Sequence, residues 1–149
     1  MARIRVSTTI DAPRAQVWAA VRDIASHVEW MEDAVAIRFT SRARDGVGAA
    51  FECDTRLGPF RLTDHMEVTE WRERRVIGIR HVGLVTGTGR FTLGRRRHGR
   101  TRFTWEERLT FPRWMGGRPG SFVGGTILRR VWKRNLRALK AKVEGAPHA

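Results

Sequence analysis

The sequence predicts an α+β domain in which an antiparallel sheet curls around one long helix. Segments with apolar residues at every second position follow one another from residue 34 to residue 111, separated by short turns. Helical patterns flank this run, over about 11–32 and about 121–143. Runs of strands bracketed by helices are typical of α+β folds. A meander of this length has to curl, and the long helix is the natural object for it to enclose.

The N-terminal segment predicts one strand and two helices. Residues 3–10, "RIRVSTTI", alternate apolar and polar side chains as a half-buried strand does. Asp11 is a favourable N-cap and Pro13 suits a first helical turn, so a helix is expected to begin there. A second short helix is expected over 26–32, capped by Ser26.

Six further strands are predicted between residues 34 and 111. The turn signals between them are "DG" at 45–46, "GP" at 58–59, "RERR" at 72–75 and "TGTG" at 86–89. After the breaker-rich segment 111–120, the last helix carries an apolar stripe of Leu128, Trp132, Leu136, Leu139 and Val143. The stripe predicts that this helix packs on the sheet.

One carboxylate stands on an apolar face. In "RFTWEERLTF" (102–111) the even positions are polar and the odd positions are apolar, except for Glu107. Two earlier strands, which follow one another along the chain, also carry a polar residue among the apolar residues of the predicted inner face: Asp64 and His81. Burying an unpaired carboxylate is costly, so these groups are expected to meet one another, water or a ligand.

Length and composition point to one domain, predicted to be cytoplasmic. The chain has 149 residues, no apolar run long enough for a membrane span, and no N-terminal apolar stretch typical of a signal peptide. Cys53 is the one cysteine, so no internal disulfide is possible. The histidines show no metal-ligand spacing, and neither a metal nor a cofactor is predicted.

The formal net charge is +14, so an alternative function is binding of RNA or the ribosome, an anionic membrane or an acidic protein through a basic surface. One group of basic residues comprises Arg90, Arg95, Arg96, Arg97, Arg100 and Arg102. A second group decorates the last helix: Arg129, Arg130, Lys133, Arg134, Arg137, Lys140 and Lys142. The favoured interpretation of both groups is an ordinary solvated surface, and the oligomeric state stays open.

The segment "VSTTIDAPRAQVWAAVRDIASHVEWM", the later "GRTRFTWEE" and the closing amphipathic helix together resemble the START-like superfamily, which includes the polyketide cyclase/dehydrase proteins. The resemblance covers nearly the whole chain. It implies a helix-grip fold, in which a curved seven-stranded antiparallel sheet wraps around the C-terminal helix and leaves an internal cavity.

In such a cavity the carboxylate of Glu107 can meet water, a ligand or another polar side chain. The leading hypothesis is a binding protein for a hydrophobic small molecule that is lipid-, polyketide- or aromatic-like. The expected ligand contacts are Phe51, Leu62, Met66, Ile79, Phe103, Trp105, Trp132 and Leu136. The alternative is a cyclase or dehydratase in which His81 works with Glu107 or Asp64 as an acid/base pair. These polar groups would equally well satisfy one another in a buried, purely structural pair.

Overall fold

The computed structural model describes residues 1–115 and 117–145, without the side chains of residues 57, 115 and 117–124. It contains seven strands: β1 (Ala2–Ile10), β2 (Ala34–Phe39), β3 (Ala50–Leu57), β4 (Phe60–Arg72), β5 (Val76–Val82), β6 (Thr86–Arg95) and β7 (Thr101–Thr110). The α-helices are α1 (Arg14–Val21) and α2 (Gly117–Glu144). Short 3-10 helices cover Ile24–Glu29, Arg97–Gly99 and Arg113–Met115.

The strands form one antiparallel sheet in the order β1-β7-β6-β5-β4-β3-β2. The predicted seven-stranded sheet with a long C-terminal helix is therefore confirmed. β1 and β7 pair along their whole length, from Ala2 opposite Leu109 to Ile10 opposite Thr101. This pairing places the first strand of the chain at one edge of the sheet, beside the strand that carries Glu107.

The core lies between the concave face of the sheet and α2. The helix stripe that the sequence predicts is buried throughout, with Leu128, Trp132, Leu136, Leu139 and Val143 each at most 3% exposed. Alternate residues of β1 and β7 are buried against it, while the intervening residues are partly or fully exposed. One face of the sheet thus meets the helix and the opposite, convex face meets solvent.

Two helix starts differ from the sequence expectation. α1 begins at Arg14 after Pro13 and has no capping hydrogen bond from a side chain, so the prediction of Asp11 as N-cap is wrong. The second helix is a 3-10 helix over Ile24–Glu29 rather than 26–32. The Ser26 hydroxyl donates to the carbonyl of Asp23 instead of capping a helix that starts at its own position.

No helix in residues 1–115 and 117–145 has the length and hydrophobicity that crossing a membrane requires.

Candidate functional site

The three polar residues of the inner face form one hydrogen-bonded cluster. His81 on β5 lies between Asp64 on β4 and Glu107 on β7. Its Nδ1 is 2.8 Å from Asp64 Oδ2, and its Nε2 is 2.5 Å from Glu107 Oε1. All three side chains are at most one-tenth exposed. The sequence prediction that these residues share a face is confirmed, and the structure brings them into direct contact.

The contact between His81 and Glu107 crosses a whole strand, because β6 lies between β5 and β7. Glycine makes this possible: Gly89 of β6 pairs directly with Glu107, and a Cβ built at Gly89 would lie 2.5 Å from Glu107 Oε1. The absence of a side chain at position 89 leaves the space that the carboxylate occupies. Any larger residue there would displace Glu107 from His81.

Glu107 is also held from its own strand. Trp105, two residues earlier and on the same face, donates its indole N–H to Glu107 Oε2 over 3.1 Å. Its ring is stacked on Trp132 of α2, with centroids 4.1 Å apart and planes inclined by 11°. The carboxylate that breaks the apolar pattern is therefore fixed by the sheet on one side and, through two indole rings, by the helix on the other.

A second buried carboxylate lies beyond this stack. Trp132 donates its indole N–H to Asp33 Oδ2 over 3.2 Å, and Asn135 donates its amide to Asp33 Oδ1 over 2.7 Å. Asn135 in turn accepts the backbone N–H of Glu32. Asp33 precedes β2, so these bonds tie the edge of the sheet opposite β1 to the long helix.

The environment of the cluster changes its acid–base properties. Burial alone would lower the pKa of His81, but its hydrogen bonds to the two carboxylates and their negative charges outweigh that effect and raise the pKa to about 10. Burial raises the pKa of Glu107, and the nearby charge of Asp64 adds to the rise against the opposing effect of His81. His81 is therefore protonated at neutral pH, and donates from both ring nitrogens.

One oxygen of the cluster has no partner. Both oxygens of Glu107 accept hydrogen bonds, and Asp64 Oδ2 accepts from His81. Asp64 Oδ1 is buried and has no hydrogen-bond partner among the described residues. An unsatisfied buried acceptor costs about 1–3 kcal/mol, so this atom favours a hydrogen-bond donor from a ligand.

The cluster lies in the wall of an internal cavity of about 110 Å³. Of the predicted ligand contacts, the wall contains Phe51, Leu62, Met66, Ile79, Trp105 and Trp132, together with Asp64, His81 and Glu107. The hollow that the resemblance implies is present between sheet and helix, and most of its lining is apolar.

Two of the predicted ligand contacts, Phe103 and Leu136, are not among the residues that line this cavity. Both are buried in the core, at 0% and 2% exposure. Phe103 packs against Phe91 and Trp30, with ring centroids 5.1 and 6.4 Å away. Aromatic rings fill the inner space at this level of β7, so the cavity ends before it reaches Phe103.

The wall also contains polar residues that the sequence did not assign to the cavity, among them His27, Asp33 and Cys53. His27 donates its Nε2–H to the carbonyl of Val21, and burial lowers its pKa to about 4. Its ring is therefore neutral at pH 7. Burial also raises the pKa of the Cys53 thiol to about 11, so Cys53 is an unreactive part of the wall. His27 lies in the 3-10 helix Ile24–Glu29 and Asp33 in the turn before β2, and both segments are too short for a periodic pattern to mark an inward side chain.

In the part of the chain that the structure describes, no group of three or more His, Cys, Asp or Glu side chains has a geometry that could hold a metal ion.

Together these features define a helix-grip protein with a mostly apolar internal cavity and one polar cluster in its wall. Residues 1–144 match the family described as "Polyketide cyclase / dehydrase and lipid transport", and the chain belongs to that family. No curated protein matches the chain in sequence.

Solved structures share the fold at low sequence identity. A Thermus thermophilus protein is 14% identical, with 98% of this chain and 99% of the other covered and a TM-score of 0.77. A START superfamily protein from Mycobacterium smegmatis is also 14% identical, with 97% and 99% covered and a TM-score of 0.77. The ZhuI aromatase/cyclase from Streptomyces is 16% identical, with 95% and 93% covered and a TM-score of 0.74. At these identities the likeness shows the fold alone.

Proposed function

We propose that the protein binds a small hydrophobic molecule in the cavity between the sheet and α2. The observation that carries this proposal is the composition of the wall, in which apolar and aromatic side chains surround one polar cluster. Small-molecule sites typically have this make-up, because apolar surface supplies affinity and a few polar groups set orientation. Membership of a family described by cyclase, dehydrase and lipid-transport functions supports the same interpretation.

The volume limits the ligand. A cavity of about 110 Å³ is of the size that holds one aromatic ring, since an engineered apolar cavity of ~150 Å³ binds benzene. Among the aromatic-, polyketide- and lipid-like ligands that the sequence left open, a one-ring aromatic molecule is the nearest in size to this cavity. A lipid chain or a multi-ring polyketide needs the helix or the strands to move apart.

Binding is tested with toluene and p-cresol as probes, measured by thermal shift and by quenching of tryptophan fluorescence. Ile79→Phe adds volume inside the cavity, and Val82→Phe, at the exposed end of the same strand, is the matched control. We expect the wild type and Val82→Phe to bind, and Ile79→Phe to lose binding at least tenfold. Equal binding by all three proteins, or by none, contradicts the proposal. Native mass spectrometry of the freshly purified wild type then identifies any ligand that co-purifies.

Acid/base catalysis is a second candidate, favoured by the contact of His81 with both carboxylates at the cavity wall. Both nitrogens of His81 are engaged and its pKa is about 10, so it is poorly suited to accept a substrate proton at neutral pH. Asp64 Oδ1 is the acceptor that no described residue engages, which makes Asp64 the base in this mechanism and His81 the group that orients it.

The catalytic candidate predicts proton abstraction next to a carbonyl. Deuterium exchange at the α-carbon of phenylacetone, followed by NMR, measures such abstraction directly. We expect Asp64→Asn to abolish any enzyme-dependent exchange and Asp54→Asn, on the neighbouring strand β3 and bound to Arg38 outside the cavity, to leave it unchanged. If the wild type exchanges no faster than buffer, binding without this catalysis is the function that stands.

A further inference from the structure

A groove on the convex face of the sheet, the side away from α2, is lined mainly by positively charged side chains. It runs over β1, β7 and β6, and its wall includes Arg5, Arg90, Arg96 and Arg102 against one acidic residue, Glu106. α2 packs on the opposite, concave face, so these side chains meet solvent. The excess of guanidinium groups follows from the register, which places Arg5, Glu106 and Arg90 side by side across three strands.

The carboxylates at this surface neutralise only part of the charge. Glu106 lies 3.5 Å from Arg5, and Arg90 is paired with Glu70 on β4 at 3.0 Å. Arg102 is held instead by neutral groups: it donates to Ser7 Oγ over 2.7 Å and to Thr9 Oγ1 over 3.1 Å. Arg102 thus keeps a fixed position with a full positive charge.

Arg96 completes the groove in the same manner. Its Nη1 donates to the carbonyl of Arg95, which is neutral, over 3.0 Å. Thr92 and Thr104 line the groove between the arginines. Guanidinium and hydroxyl donors without an opposing carboxylate are the groups with which proteins contact phosphate oxygens.

The charge continues beyond the groove. Arg3 on β1 stands directly opposite Arg108 on β7, and both are exposed. Like charges that face each other across a strand pair destabilise the sheet, unless an anion lies between or above them. Arg95, Arg97 and Arg100 surround the turn between β6 and β7, at the opposite end of these strands. The basic residues thus form a row along the full length of β7. A single small anion would occupy one part of this row, whereas a polymer of phosphates follows its length.

We propose that the convex face of β1, β7 and β6 binds the phosphodiester backbone of a double-helical nucleic acid. A single strand is disfavoured because its recognition uses exposed aromatic rings for base stacking, and none of the exposed large apolar residues of the described chain lies on β1, β6 or β7. A membrane surface is disfavoured for a similar reason, since the described part of this face offers no exposed large apolar side chain that could enter a bilayer. Contacts to the backbone alone give binding without sequence preference.

The test distinguishes binding at this groove from the nonspecific attraction of nucleic acid to any protein with a net charge of +14. The double variant Arg96→Ala/Arg102→Ala is compared with Arg129→Ala/Arg137→Ala, which removes the same charge from the exposed side of α2. Binding of a fluorescent 20-base-pair RNA duplex is measured by anisotropy at several salt concentrations. Each lost phosphate contact lowers the slope of log K against log salt by about 1.

We expect the groove variant to lower the slope by about 2 and the helix variant to leave it within error of the wild type. Equal slopes for the two variants overturn the proposal, since the binding would then depend on net charge alone. The single variant Arg96→Gln keeps the test decisive if loss of Arg102 disturbs β1, because the Arg96 side chain bonds to a neighbouring carbonyl rather than to another strand. Equally tight, equally groove-dependent binding of poly-glutamate assigns the surface to an acidic protein and also overturns the proposal.

Discussion

Replacing Glu107 by glutamine changes one atom in the centre of the polar cluster. Both oxygens of Glu107 accept N–H groups, from His81 and from Trp105. A glutamine has one accepting oxygen, so its NH₂ group has to face one of these two donors. The conflict is relieved when His81 loses its Nε2 proton: the new amide NH₂ then donates to Nε2, Nδ1–H still donates to Asp64, and the amide oxygen accepts from Trp105. We therefore expect Glu107→Gln to fold with a neutral His81.

The cost follows from the bonds exchanged. The contact between His81 and Glu107 changes from a bond between charged groups, worth ~1.5–3 kcal/mol, to a neutral one worth ~0.5–1.5 kcal/mol. The bond from Trp105 weakens in the same way. The free energy of unfolding should fall by about 2 kcal/mol. Glu106→Gln is the matched control, because Glu106 is the preceding residue, lies on the convex face and pairs with Arg5 at 3.5 Å. A surface pair of this kind contributes about 0–1 kcal/mol.

Two measurements check the reasoning: urea denaturation at pH 7, and titration of the His81 ring by NMR. In the folded wild type the pKa of His81, about 10, lies above the ordinary histidine pKa of 6.5. The folded state holds this proton more tightly than the unfolded chain, so the stabilisation is complete below pH 6.5 and is lost as the pH rises towards 10. If His81 of Glu107→Gln still titrates near pH 10, or the variant is as stable as Glu106→Gln, the hydrogen-bond assignment is wrong.

Three further perturbations address the surroundings of the cluster. Gly89→Ala should lower the free energy of unfolding by about 1–3 kcal/mol and reduce the pKa of His81, because the new methyl group meets the Glu107 carboxylate; urea denaturation and ring NMR measure both. Trp132→Ala should cost ~3–5 kcal/mol and enlarge the cavity, so that the variant binds naphthalene in a thermal-shift assay where the wild type does not. His27→Gln should make the free energy of unfolding less sensitive to acid. Burial depresses the pKa of His27 from 6.5 to about 4, so the free energy of unfolding of the wild type falls by up to about 3 kcal/mol as the pH drops through that interval.

Each of these has an internal check. Gly94→Ala lies on the same strand as Gly89, and its nearest non-neighbouring atom is 3.9 Å away on Arg96, so it should be tolerated; equal destabilisation by both changes would contradict the role of Gly89. If Trp132→Ala binds naphthalene no better than the wild type, the indole is not part of the cavity wall. If the free energy of unfolding of His27→Gln falls with pH as steeply as that of the wild type, groups other than His27 cause the acid sensitivity.

The architecture was predictable because period-two alternation and the helical stripe are local signals that packing against a core enforces. The inner-face placement of Asp64, His81 and Glu107 follows from the same parity, even though the ladder between β4 and β5 shifts register between Val68 and Glu70. That irregularity lies beyond Asp64 and leaves its side chain facing inward. Parity specifies a face but gives no distance, so the direct contacts of His81 could not be read from it.

The remaining parts of the site depend on tertiary contacts. Asp33 meets Trp132 and Asn135 only because the segment before β2 folds against a helix about a hundred residues later. Gly89 looks like a turn glycine in "TGTG", yet it lies inside β6 where a carboxylate crosses the strand. Phe103 and Trp105 have the same parity along β7, yet the cavity reaches Trp105 and not Phe103. Parity gives the face of a side chain but not the packing around it, so this difference could not be predicted from the sequence.

The polar cluster is not needed to hold the sheet to the helix. Well-packed apolar residues in place of buried ion pairs often leave stability unchanged or raise it, and here the helix stripe and the inner faces of β1 and β7 already form a continuous apolar core. The cluster also leaves Asp64 Oδ1 without a partner among the described residues, which a purely structural network would be expected to satisfy. Five groups, from the Asp64 carboxylate through His81, Glu107 and the two stacked indoles, are thus fixed relative to one another around an unfilled space. Such rigidity at the wall of a cavity favours recognition of a ligand that brings the missing hydrogen-bond donor.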